Sequence, residues 1–267
     1  MLNNLHENNV FEEPYLLWNV SVIIPAYNER DRIKPVVDGI CSFVMMHQLP
    51  WEIIVAVDGN DGTIGILNNM RKSYPFLITS KVAGRSGHGG AIKRGIAIAK
   101  GDYFVFMDAD GAIDFTQILN AIPLLGNYDV VTFDRYKLKT NYIPRVRRFL
   151  SRGFNLYVRF LLHLNVNDTQ GGYKLIRARE AKEIFSRLTI TNAFFLAPLF
   201  YYVKSLGFNL KVVSVEYRHS EGSKFNVLDL VIGGFLTTLF FRIRHSFIYK
   251  FIPEKLKILY YRKLRWL

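Results

Sequence analysis

Half of the 267 residues are hydrophobic and 15% are aromatic, so wholesale disorder is excluded and there is material for one large α/β domain or a domain with an appendage. A formal net charge of +13 directs attention to anionic partners: nucleic acid, an anionic membrane surface or a phosphorylated substrate. A single cysteine, Cys41, excludes an internal disulfide and a cysteine-built zinc site, and reads as a core residue of a helix.

Residues 1–14 are polar and acidic with no basic n-region or apolar h-region, so the expectation is a cytoplasmic chain without a cleaved signal. Asn19-Val-Ser-Val-Ile-Ile-Pro-Ala-Tyr-Asn-Glu29 reads as a buried strand stopped by Pro25 and followed by a polar turn. Asp31 is placed to cap a helix running to about residue 47, with Pro35 tolerated in its first turn. Residues 51–57 form a second β-rich run that ends in an acid, Asp58, inside Asp58-Gly-Asn-Asp-Gly-Thr63. A helix over 62–73 and a strand over 76–82 complete a β-α-β-α-β spacing, the pattern of a parallel sheet with covering helices.

Gly84-Arg-Ser-Gly-His-Gly-Gly-Ala-Ile-Lys-Arg-Gly95 is a glycine-rich basic loop opening onto a helix that ends near residue 100. Its amides and the helix N-terminus suit an anion, with Arg85, Lys93 and Arg94 adding charge, although a plain surface turn fits the same residues. His88 is read as an ordinary hydrogen-bonding residue. Residues 103–107 then carry the chain through a core and deliver Asp108 and Asp110 to the carboxyl end of a strand, where open α/β sheets place their ligands. Two carboxylates at i and i+2 can hold one Mg2+ or Mn2+ and leave positions for diphosphate oxygens; a solvated turn is the competing reading.

A helix over 114–125 and a strand over 128–133 lead to Asp134-Arg135-Tyr136. The segment 137–152 carries Lys137, Lys139, Arg145, Arg147, Arg148 and Arg152 among apolar residues, as a solvated face or as one that grips phosphate or meets a membrane. Asn167-Asp-Thr-Gln-Gly-Gly-Tyr-Lys-Leu-Ile-Arg177 places a glycine-bearing turn before a short strand. Helices over 178–187 and 193–206 and a strand over 208–217 follow, and the strand runs out into Arg218-His-Ser-Glu-Gly-Ser-Lys224. Residues 227–241 are almost wholly apolar, yet fall short of the ~20 residues a spanning helix needs. With the basic tail behind them they read as an in-plane helix on an anionic headgroup layer, or alternatively as a core helix. The change in composition at Phe225 divides the chain into 1–224, an α/β domain, and 225–267, expected to form membrane-associated helices.

The ordered set Pro25-Ala-Tyr-Asn-Glu29, Asp58-Gly-Asn-Asp-Gly-Thr63, Asp108-Ala-Asp-Gly111, Asp168-Thr-Gln-Gly-Gly-Tyr-Lys174 and Arg218-His-Ser-Glu-Gly-Ser-Lys224 resembles the family-2 inverting glycosyltransferases of GT-A fold, and within them the dolichyl-phosphate glucose and mannose synthases. The resemblance implies a Rossmann-like, mostly parallel sheet flanked by helices. It also implies UDP-glucose or GDP-mannose as donor, a polyprenyl (dolichyl) phosphate as acceptor, and location at the cytoplasmic face of a membrane. By the same likeness Pro25, Tyr27, Asn28, Glu29 and Asp58 hold base and ribose, and Asp108 and Asp110 hold the metal-bound diphosphate. Arg135, Arg148, Ser223 and Lys224 then neutralise phosphate, with Asp110, Arg135 and Arg148 as the catalytic set and Lys93, Gln170 and Arg218 also meeting substrate. Ala112 stands where mannose synthases tend to carry Gln, and the form resembles the glucose branch. Phe195 and Ala197 stand where relatives often carry an acidic pair, which favours a phosphate acceptor over a hydroxyl. A transferase acting on a glycan or lipid hydroxyl is the alternative; a nucleic-acid-binding protein lacks any recognition helix or stacking-sheet motif.

Overall fold

The computed structural model describes residues 17–82, 84–138, 144–218 and 227–257. Seven strands make one sheet, β1 (Val20–Tyr27), β2 (Trp51–Asp58), β3 (Leu77–Lys81), β4 (Tyr103–Phe106), β5 (Val130–Asp134), β6 (Lys174–Arg177) and β7 (Leu210–Ser214), in the order β3-β2-β1-β4-β6-β5-β7. All neighbours run parallel except β6, which lies antiparallel between β4 and β5. Its register, Phe106↔Lys174 and Thr132↔Lys174, therefore puts the start of β6 beside the carboxyl ends of its two neighbours. That inversion brings the turn before β6 to the ligand edge of the sheet.

Alternation along the strands builds two cores. Val20, Val22 and Ile24 of β1 and Val105 of β4 face a layer formed by α1 (Ile33–Met46), α2 (Thr63–Met70) and α4 (Phe115–Leu119). Ile23, Phe104 and Phe106 face the other, formed by α3 (His88–Ile98), α5 (Arg145–Leu162), α6 (Ala178–Arg187) and α7 (Leu196–Ser205). This is the three-layer arrangement that the β-α spacing predicts. Cys41 is buried in α1, and burial together with Asp38 pushes its thiol up to about 12.

Several expected boundaries move for physical reasons. β1 passes through Pro25 to Tyr27, because pairing with β4 ends at Ile23↔Phe106 and the missing proline N–H faces that open side while β2 continues alongside. The helix expected over 114–125 breaks after Leu119 into a short 3-10 turn, Ile122–Gly126, at Pro123. Asp114 caps α4, accepting from the Thr116 amide at 2.9 Å. The segment 137–152, for which the sequence reading gave no secondary structure, enters a helix at Arg145 that runs to Leu162.

The apolar stretch 227–241 lies in α8 (Val227–Arg244), and no helix among the described residues is long and apolar enough to cross a membrane. Gly234, Thr238 and Phe241 are buried on the domain, while Ile232 and Leu239 are exposed. A Cβ added to Gly234 would meet the Phe154 ring of α5 at 2.9 Å, so the glycine lets the two helices approach closely. Ser223 and Lys224 lie outside the described residues.

Candidate active site

The carboxyl ends of β1, β2, β4 and β5, the turn before β6 and the exit of β7 gather the motif residues along one edge of the sheet. Tyr27 ends β1, 37% exposed, with the Arg85 guanidinium 4.2 Å over its ring. Asn28 follows in the left-handed region at φ 53° and accepts the Asn60 amide at 3.2 Å. Glu29 clasps Arg32 at 2.9 and 3.1 Å.

Asp58 is buried at the end of β2 and its acceptors are occupied by the glycine-rich loop. It accepts from the Ser86 amide at 2.7 Å, the Ser86 hydroxyl at 2.9 Å, the Gly87 amide at 3.1 Å and Arg94 Nη2 at 2.9 Å. In this arrangement it fastens the loop that begins α3. Arg94 is the cation turned inward; Lys93, one residue earlier, is exposed on the outer side of the helix. The helical period decides this, and the loop's composition does not show which of two adjacent cations faces in.

Asp108 lies directly beyond β4, in contact with the turn before β6. A Cβ on Gly172 would fall 2.3 Å from the carboxylate, so only glycine leaves room for it. Burial, and next the charge of Asp110, push the Asp108 carboxyl up to about 7, with Arg135 and Lys174 opposing. His88 Nε2 lies 3.7 Å from this carboxylate and is buried without a hydrogen-bond partner. Burial and the Lys174 charge push its imidazole down to about 4, which leaves it neutral at pH 7. Asp110 accepts the Ala112 amide at 3.0 Å, and Tyr173 OH lies 3.5 Å away. Arg218 donates its amide to Ala112 O at 2.9 Å, which docks the exit of β7 on the acidic turn.

Behind the acids lies a second charged pair. Arg135 at the end of β5 meets Asp168 through Nε at 2.7 Å and Nη2 at 2.9 Å. Burial alone would raise the Asp168 carboxyl, but the charge and hydrogen bonds of Arg135 outweigh it and hold the group below the ordinary carboxylate range. Lys174 is fully buried and donates to Gly171 O; burial pushes its ammonium down to about 7. Gln170 caps the same turn, its amide on Asp168 at 3.2 Å. Phe195 and Ala197 are buried, the phenyl ring packed 5.5 Å from His88.

Beside this cluster a cleft of about 310 Å³ is lined by Asp134, Lys137, Arg152, Asn155, Leu156 and Arg159 among others. Arg148 sits in the first turn of α5, one turn before Arg152. Sequence reasoning counted Arg94 only as loop charge, without its partner Asp58, and gave no role to Lys174 or Gly172; the Gly-Gly before β6 was the visible signal for the last.

The cradle fits a hard divalent cation. Its donors are carboxylate oxygens, the raised Asp108 carboxyl is relieved by a neighbouring positive charge, and His88 offers a neutral nitrogen without a partner. Among the described residues no group of three or more His, Cys, Asp or Glu is placed to hold a metal ion, so the two carboxylates are the donors this site offers. Gly172→Ala should accordingly weaken divalent binding at least about tenfold while leaving the fold intact, measured by Mn2+ titration of the purified protein.

The sheet and its covering helices have GT-A architecture. The chain belongs to glycosyl transferase family 2, whose model matches residues 21–185. It is 30% identical over 222 residues to dolichyl-phosphate beta-glucosyltransferase of Dictyostelium discoideum, which covers 77% of this chain and 68% of that protein. The protein of the same name in Homo sapiens is 29% identical over 77% of this chain and 69% of its own length. Among solved structures, glucosyl-3-phosphoglycerate synthase from Mycobacterium tuberculosis in complex with Mn2+, UDP and glucosyl-3-phosphoglycerate aligns with TM-score 0.64 at 19% identity, covering 84% of this chain and 80% of that one. This last likeness is one of fold.

Proposed function

We propose that this chain transfers glucose from a nucleotide sugar, UDP-glucose, to a polyprenyl (dolichyl) phosphate at the cytoplasmic surface of a membrane, with inversion at the anomeric carbon. One observation carries the reading: the Asp108 cradle, built against Gly172, in a chain 30% identical to a dolichyl-phosphate beta-glucosyltransferase. Tyr27, Asn28 and Glu29, with Pro25 behind them, line the nucleotide end, and Asp58 sets the loop that closes over it. Asp108 and Asp110 would hold Mg2+ or Mn2+, which supplies charge stabilisation to the departing nucleoside diphosphate. Arg135 keeps positive potential at the diphosphate end, and the resemblance assigns Arg148, Gln170, Arg218, Ser223 and Lys224 to phosphate and acceptor; Lys93, exposed on the outer side of α3, stands apart from this set. The acceptor phosphate is already an anion, so its attack on the anomeric carbon needs no strong base, and buried Phe195 and Ala197 are compatible with that chemistry. The interfacial role of 225–267 belongs to the same reading.

The test incubates the protein with Mn2+, radiolabelled UDP-glucose or GDP-mannose, and either dolichyl phosphate or free saccharides. Label is expected in an organic-extractable, mild-acid-labile product from UDP-glucose and dolichyl phosphate alone. Label appearing only on saccharides would replace the lipid acceptor with a hydroxyl.

A further inference from the structure

We propose that α8 is a working part of the transferase: through the adjacent Phe194 and Phe195, its seating sets the position of the glycine-rich loop and of His88 beside the acidic cradle. The two rings belong to a 3-10 turn, Ala193–Phe195, whose start is fixed by Asn192, the side chain of which accepts the Phe194 amide at 3.0 Å. Consecutive residues of a 3-10 helix diverge by about 120°, so neighbouring rings meet different elements. Phe194 lies against α8, where a Cβ on Gly234 would come within 3.0 Å of its ring. Phe195 lies against α3, where a Cβ on Gly89 would fall 2.8 Å from its ring, and its centroid is 5.5 Å from that of His88. Both phenylalanines are buried.

Hydrogen bonds tie the same segment to both helices. Thr191 O accepts the Gly90 amide, in the first turn of α3, at 2.9 Å. Two residues earlier, the Thr189 hydroxyl accepts Nη1 of Arg244, the last residue of α8, at 2.9 Å. The strip 189–195 therefore has α8 on one side and the start of α3 on the other. What it backs is the loop whose Ser86 and Gly87 amides bind Asp58, and the imidazole whose Nε2 stands 3.7 Å from Asp108. Close-packed interiors pass a displacement on instead of absorbing it, most of all where no Cβ stands between ring and backbone. Gly234 sits in the interior of α8, where glycine is less favourable than alanine by up to about 1 kcal/mol; a short, fixed distance between helix and ring is what that sacrifice maintains. The coupling itself does not depend on the identity of the donor, and only its nucleotide readout rests on the UDP-glucose reading.

The test uses three variants of the full chain at residues outside the cleft and the cradle. Gly234→Ala pushes on the rings of Phe194 and Phe154, Asn192→Ala frees the 3-10 turn, and Val44→Ala removes core volume in the layer across the sheet as a stability control. Calorimetric titration with UDP and Mn2+ is expected to show affinity reduced at least about fivefold in the first two and within about twofold of the wild type in the third, whichever melts lowest. Amide hydrogen exchange without nucleotide is expected to quicken over residues 84–92 in the same two variants and to stay unchanged there in Val44→Ala. Should Gly234→Ala not fold, Asn192→Ala carries the test alone. Wild-type affinity and loop exchange in these two overturn the proposal, whatever their melting temperatures. So does an equal loss in Val44→Ala, which would make the effect one of general stability. If the wild type itself binds no UDP, the donor reading falls, and exchange of the loop still decides the coupling.

Discussion

Asp108→Asn is expected to slow sugar transfer at least about 10²–10³-fold and, in the metal-free protein above pH 7, to raise the melting temperature. The two effects share a cause. Burial and the nearby Asp110 raise the Asp108 carboxyl to about 7, so the folded state binds this proton more tightly than the unfolded chain does. The associated stability is present at pH 4 and below, and is lost as the pH climbs toward and through 7. Water tempers the effect, since the side chain keeps 31% of its exposure. The amide of the same shape carries no charge, so the slope between pH 4 and 8 should flatten in the variant, and each kcal/mol regained is worth roughly 2–4 °C for a chain of this size. Scanning calorimetry with chelator, repeated with Mn2+, checks it: the cation should stabilise the wild type and leave the variant unmoved. A variant that melts lower than the wild type at pH 8 would show that the carboxylate is held by contacts rather than merely tolerated.

The largest loss of stability is expected from Asp168→Asn. Arg135 would then keep its burial and lose its counter-charge, at a cost of about 3–5 kcal/mol, read as a lower midpoint in urea at pH 7. The Asp168 carboxyl sits below the ordinary range, so its contribution is fully present above the unfolded value near 4, declines as the pH falls below it, and is gone once the pH has fallen through its own lowered pKa. The difference between wild type and variant should therefore be constant from pH 6 to 8 and shrink in strong acid. Replacing both partners, Arg135→Met with Asp168→Leu, should restore much of the stability while activity stays lost. A single variant within about 0.5 kcal/mol of the wild type would assign the pair no structural role.

Much of this molecule was legible because acids and glycines punctuate it where strands end. Buried apolar and β-rich runs predicted all seven strands, and the carboxylates after several of them marked the edge at which Asp108 and Asp110 stand. Three things were not legible, each for a reason of geometry. The orientation of β6 depends on which neighbours it joins, which no local pattern encodes. The role of Asp58 follows from Ser86 and Gly87 arriving as donors, a contact across 28 residues of sequence. The outer half of α5 carries apolar residues on both sides, and such a pattern does not reveal which side is left open.

Asn155, buried on α5, accepts both the amide and the hydroxyl of Thr169, at 2.8 and 2.6 Å. That single side chain links a helix at the outside of the domain to the turn holding Asp168, Gly171 and Gly172. A tilt of α5 would therefore be passed through Thr169 to the glycine turn, and so to the space that Gly172 leaves for the Asp108 carboxylate.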